Sequence, residues 1–137
     1  MEYVKEAFVV ALEASLELDD VRKAEELLDL IDNLPPGHSP HYLQAQSLRY
    51  HARIAGNAED PEAERLFKRA TGLFRELAMP FYLAASTLEY AEWLIRHGRS
   101  GDATPLASEA REVFDRLGAR PWLERAENAA DAAKIPA

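Results

Sequence analysis

The chain has 137 residues, 47% of them hydrophobic and 29% charged, and 24 acids against 16 bases leave a formal charge of −8. Such a balance fits a chain that buries a core rather than a disordered one, and it argues against a general DNA or RNA binder, which meets phosphates with clustered cations. Cysteine is absent, so disulfides, thiolate metal sites and cysteine nucleophiles are excluded.

Helical periodicity predicts seven elements in chain order. The first, over about 2–18, is apolar on most of its circumference: Tyr3, Val4, Ala7, Phe8, Val9, Val10, Ala11, Leu12 and Leu16. The second, about 20–33, has Asp19 and Asp20 as capping residues. The longest turn follows, from Leu34 to Ser39. The third element, about 40–56, opens at Ser39-Pro40, and the fourth, about 61–78, at Asp60-Pro61; both pairs read as a cap followed by proline at the first helical position. Along the fourth, Leu66, Phe67, Ala70, Leu73, Phe74 and Leu77 recur at helical spacing. The fifth, about 80–97, and the seventh, about 121–133, start at Met79-Pro80 and Arg120-Pro121, where the residue before proline leaves αR. The sixth spans about 103–117, with Pro105 in its first turn. Gly98, Gly101 and Gly118 stand at helix ends, where a positive φ is often needed. No β-branched alternation supports a strand.

The elements repeat. A shift of 40 positions pairs Tyr42 with Tyr82, Leu43 with Leu83, Ala45 with Ala85, Leu48 with Leu88 and Tyr50 with Tyr90. It also pairs Ala63 with Ala103, Leu66 with Leu106, Ala70 with Ala110, Phe74 with Phe114 and Leu77 with Leu117. A fainter copy precedes them at offset 39, pairing Tyr3 with Tyr42, Ala24-Glu25 with Ala63-Glu64 and Leu27 with Leu66. Three and a half helix pairs result, over about 1–39, 40–79 and 80–120, with a capping helix in 121–137. Such pairs bury their apolar faces only by stacking, which predicts an all-α solenoid in one repeat domain. The expected core is Leu28, Leu48, Tyr50, Leu66, Phe67, Ala70, Phe74, Leu77, Leu83, Leu88, Tyr90, Leu94, Phe114, Leu117 and Trp122.

The spacing Ala63-x3-Phe67-x2-Ala70 resembles the second-helix pattern of tetratricopeptide (TPR) repeats, with looser versions at Ala24-x3-Leu28-x2-Ile31 and Ala103-x3-Ala107-x2-Ala110. The unit is longer than the usual TPR, about 34 residues. This long variety looks like the helical repeat regions of bacterial signalling proteins that join an ATPase module to a nucleotide cyclase or a LuxR-type DNA-binding domain. The stretch from Phe114 to Ala126 is similar to the C-terminal end of such proteins. The resemblance implies a right-handed TPR-like α-solenoid. It further implies a non-catalytic interaction or regulatory module, a fragment of a larger signalling protein, with none of the parents' nucleotide-binding or cyclase residues in this stretch.

Direct chemistry has little support in the residues. Gly-rich phosphate loops are absent, and His38, His41, His51 and His97 show no metal-ligand spacing, so neither a cofactor nor a metal is expected. No serine stands in a nucleophile elbow. The longest apolar run, Phe8 to Leu12, falls far short of the roughly 20 residues of a membrane helix, and no leader is visible. The expectation is a cytoplasmic chain that binds a protein or peptide and neither nucleic acid nor membrane.

Partner contacts are expected on the polar stripe of the first helix in each pair, which lines the concave face of TPR-like stacks. On the second pair this is Gln46, Arg49 and Arg53; on the third it is Ser86, Glu89 and Trp93, followed by Arg96. Two arginines one turn apart suit a carboxylate or phosphate, and a tryptophan among polar residues suits an anchor. The bland alternative has the arginines pairing with Glu89 or Glu92 and Trp93 filling space between repeats. A closed pocket near Arg49, Arg53 and Trp93 would instead mark a sensor for a small molecule or peptide. The apolar first helix calls for a neighbour, either a preceding repeat or a second copy in a homodimer. The charge is local to that end: residues 1–34 hold 10 acids and 3 bases.

Overall fold

The computed structural model describes residues 2–35 and 40–134, with side chains from Lys5 onward. Seven α-helices and no strand occur among the described residues: α1 Glu2–Glu17, α2 Val21–Asp32, α3 His41–Asn57, α4 Ala63–Glu76, α5 Pro80–Arg96, α6 Ser100–Leu117 and α7 Arg120–Ala133. The fold is all-α. Contacts gather into two compact units, Met1–Leu66 and Phe67–Ala137, with the division inside α4. The first unit holds fourteen acids and six bases and so carries the whole net charge; the second holds ten of each.

Five of the helix ends close in one way, while α2 ends at Asn33 with φ −100°. Asp19, Glu59 and Gly98 close the first helices of successive pairs at φ 56°, 57° and 73°, and Ala78 and Gly118 close second helices at 52° and 68°. After each of these residues the next N–H reaches back to a carbonyl five residues earlier. Asp20 donates to Ser15 at 2.8 Å, Asp60 to Ala55 at 2.9 Å and Arg99 to Leu94 at 2.9 Å. Met79 donates to Phe74 at 3.2 Å and Ala119 to Phe114 at 3.0 Å. This is the Schellman closure, in which one left-handed residue lets orphan carbonyls at the helix end find donors.

Several starts differ from expectation. Pro40 is the cap of α3 rather than its first residue, with φ −62° and ψ 151°; Ser39 and the histidine at 38 lie outside the described residues. α4 begins at Ala63 because Asp60 closes a turn first, accepting the Glu62 N–H at 2.9 Å. α6 begins at Ser100, so Gly101 lies within the helix and Pro105 in its second turn. Asp20 caps α2 as expected, accepting the Lys23 N–H at 3.1 Å.

In the first unit, α1, α2 and α3 enclose Val9, Leu12, Ala24, Leu28, Ile31, Leu43 and Tyr50. In the second, the core is aromatic and shows the repeat as contacts. Phe74 stacks on Tyr82 at 5.8 Å and 24°, and forty residues on Phe114 stacks on Trp122 at 5.5 Å and 25°. The aromatic that ends each second helix thus meets the aromatic that opens the following first helix. Offset stacking of this kind adds to the area that the rings bury. Small residues Ala63, Ala70, Ala103 and Ala110 are fully buried and let helices approach closely. Of the expected core, Leu48, Leu66, Leu77, Leu83 and Trp122 are half-buried, and Leu117 is 47% exposed because the last turn of α6 leaves the packed face before Gly118.

Candidate functional site

The seven residues of the expected partner stripe fall into two groups, one in each unit. In the first unit, Gln46 and Arg49 on α3 are buried, at 0% and 3% exposure, so they do not line an open surface. They belong to a polar network anchored on Glu13 of α1. Arg53 grips Glu13 with two parallel bonds, Nη1 to Oε1 at 2.7 Å and Nη2 to Oε2 at 2.9 Å. Arg49 stands 3.8 Å from the same carboxylate, and the Tyr50 hydroxyl donates to it at 3.0 Å. Both guanidinium carbons lie 5.0 Å from the centre of the Tyr50 ring, within cation–π range. Arg49 also donates to Gln46 at 3.2 Å, and Gln46 to the Tyr42 hydroxyl at 3.3 Å. Burial works against the Glu13 carboxylate, but the hydrogen bonds and charge of Arg53, the charge of Arg49 and the Tyr50 hydroxyl outweigh it and hold its carboxyl at about 2, against an ordinary 4.5. The bidentate geometry locks α3 onto α1.

In the second unit, Glu89 on α5 is buried at 4% exposure. Trp93 is half-buried against Phe67 of α4, 5.9 Å away, and against the His97 ring at 4.5 Å. Its indole Nε1 is buried without a hydrogen-bond partner among the described residues, as are the hydroxyls of Ser86 and Thr87. Arg96 alone of the seven is exposed. It stands on the wall of an open groove of about 530 Å³ between the end of α5 and α7, lined also by Glu92, Ile95, Arg125, Asn128, Ala129 and Ala132.

The groove is built by the same logic as the Glu13 network. Arg125 donates to Glu92 from Nε at 2.8 Å and from Nη2 at 2.6 Å, while its guanidinium carbon lies 5.0 Å from the Trp122 ring centre. That clamp fixes one wall and consumes its own charges. Ile95, Ala129 and Ala132 supply an apolar floor. Arg96 and Asn128 have no partner side chain among the described residues and remain available above it. Arg125 and Asn128 were not among the expected partner residues, because the sequence places them in a polar terminal cap. Their signal was the four-helix-position spacing of Arg125, Asn128, Ala129 and Ala132, which puts all of them on one face of α7.

No protein-family model, curated protein or solved structure matches the chain. Among the described residues no helix is long and apolar enough to cross a membrane.

Proposed function

We propose that the chain is a non-catalytic interaction module, a TPR-like right-handed solenoid of helix pairs, that holds a protein or peptide partner on the first-helix face of its repeats. The 40-residue recurrence of helix closures and of aromatic contacts supports the repeat reading. The observation that carries the functional reading is the groove between α5 and α7, where Arg96 and Asn128 stand unengaged above an apolar floor. An apolar floor with a few orienting polar groups is the composition of a recognition surface. The available cation selects a segment that offers a carboxylate, and the amide of Asn128 can both donate to and accept from a peptide backbone. Attachment to an ATPase, cyclase or LuxR-type regulator in a cytoplasmic signalling protein remains what the resemblance implies.

The test is a selection from a displayed peptide library, followed by affinity measurement on the selected peptides. Selected peptides are expected to carry Asp or Glu, and Arg96→Glu is expected to weaken them at least tenfold, about 1.4 kcal/mol. Peptides unaffected by Arg96→Glu would remove the groove from the reading. The second reading, a sensor of small molecules, draws on the groove's volume, which lies in the range of ligand pockets; a thermal shift from a metabolite library, lost in Arg96→Glu, would favour it over the peptide reading.

A further inference from the structure

The groove between α5 and α7 stands where the first unit places two arginines. Offsets of 39 and 40 carry Glu13 through Ala52 to Glu92, so the two glutamates hold one place in the repeat. The offset of 40, taken twice, carries Arg49 to Ala129 and Arg53 to Ala133. Between α1 and α3 both guanidinium groups lie against Glu13. Between α5 and α7 alanines stand at those places, and Ala129 lines the groove instead. Glu92 still takes an arginine, but it is Arg125, about two turns earlier on its helix than the place of Arg53.

Glu92 thereby sets the charge that the groove presents. Among the described residues that line it, three are charged: Glu92, Arg96 and Arg125. Arg125 lies over the Trp122 ring at 5.0 Å and donates from Nε and Nη2 to the two Glu92 oxygens, at 2.8 and 2.6 Å. Trp122 is itself held by stacking on Phe114. Ring and carboxylate together fix the guanidinium, and two parallel charge-assisted bonds are the strong form of such a pair. The pair is partly buried, with 41% of the Arg125 side chain and 25% of the Glu92 side chain exposed, so salt screens it incompletely. Among the described lining residues, Arg96 is then the cation without a partner side chain. A second anion beside one at Arg96 would meet the like charge of Glu92 on the groove wall, and would have to take Arg125 from it. Like charges set side by side at an interface are costly, and a site selects by what it repels as well as by what it attracts.

We infer that Glu92 is the specificity-determining residue of the groove. By occupying Arg125 it restricts the groove to a partner segment that places one carboxylate at Arg96, and it turns away segments with two adjacent acids. The inference rests on the groove being the partner site and adds which acidic segments enter it.

A peptide selected on the wild-type chain is made in two forms, with Gln or Glu next to its essential acid, and each is titrated into the full chain. On the wild type the added Glu is expected to leave affinity unchanged or lower it. On Glu92→Gln it is expected to raise affinity roughly tenfold, because Arg125 is released to meet it. The double variant Glu92→Gln/Arg125→Gln is expected to lose that gain, which separates the release of Arg125 from a general change in packing. Arg125→Gln alone leaves Glu92 unpaired in the groove and is expected to weaken both forms, the diacidic one more; it is the second measure if Glu92→Gln does not fold. An added Glu that already improves binding to the wild type, or a preference that these variants leave unchanged, would overturn the inference and leave the groove standing. Peptides indifferent to Arg96→Glu would remove the groove, and the inference with it.

Discussion

Glu13 shows how much one side chain carries in the first unit. It answers two arginines and a tyrosine at once, and Arg49 beside it is almost wholly removed from water. Taking away the carboxylate leaves buried positive charge with a weaker answer, which is the costly way to break such a pair. Glu13→Gln is therefore expected to destabilise the chain by about 3 kcal/mol, the low end of the range for buried pairs because Glu13 keeps some contact with solvent; urea denaturation at neutral pH measures it. The pH dependence has a definite sign. The folded-state pKa, about 2, lies below the ordinary 4.5, so the contribution is complete above about pH 4.5 and is lost as pH falls toward 2. The wild-type chain is expected to lose stability over that window, and Glu13→Gln to lose less. Equal losses would show that Glu13 is not the group responsible.

At the scale of the helix, the five left-handed closures are the most regular feature, and three of them use residues that bear a Cβ: Asp19, Glu59 and Ala78. That conformation is strained for an L side chain and free for glycine. Ala78→Gly is expected to stabilise the chain by about 0.5–1 kcal/mol and Gly118→Ala, at the equivalent position one repeat later, to cost about 1 kcal/mol; opposite shifts in the urea midpoint are the check. The pattern explains what the sequence allowed and what it hid. Seven helices were legible because prolines and capping residues punctuate the chain and because Phe74 and Phe114, with Tyr82 and Trp122, repeat at the same spacing. The closures at Asp19, Glu59 and Ala78 were not, since no glycine marks them. The stripes were legible as stripes but not as buried: Gln46, Arg49 and Glu89 read as solvent-facing because polar residues usually are, and only the long-range pairing with Glu13, 36 to 40 positions away from Arg49 and Arg53, reveals the α3 stripe as interior. Arg96 is exposed, and Asn128 across the groove lies on a terminal helix that the sequence marks only as a polar cap.

Across the whole chain, acidity and aromatic packing are divided between the two units. The first is acidic and stitched by a polar network; the second is neutral and held by stacked rings. Phe74 is fully buried, so Phe74→Ala is expected to cost roughly 3–5 kcal/mol, and an unchanged urea midpoint would mean that the repeat register is wrong. The claim most in need of a direct test is that the α5–α7 groove is where a partner binds. Chemical-shift mapping with a selected acidic peptide on the isotope-labelled chain decides it: the account predicts perturbations concentrated at residues 92–96 and 125–132 and lost in Arg96→Glu, whereas perturbations confined to other helices, or unchanged by that substitution, would contradict it.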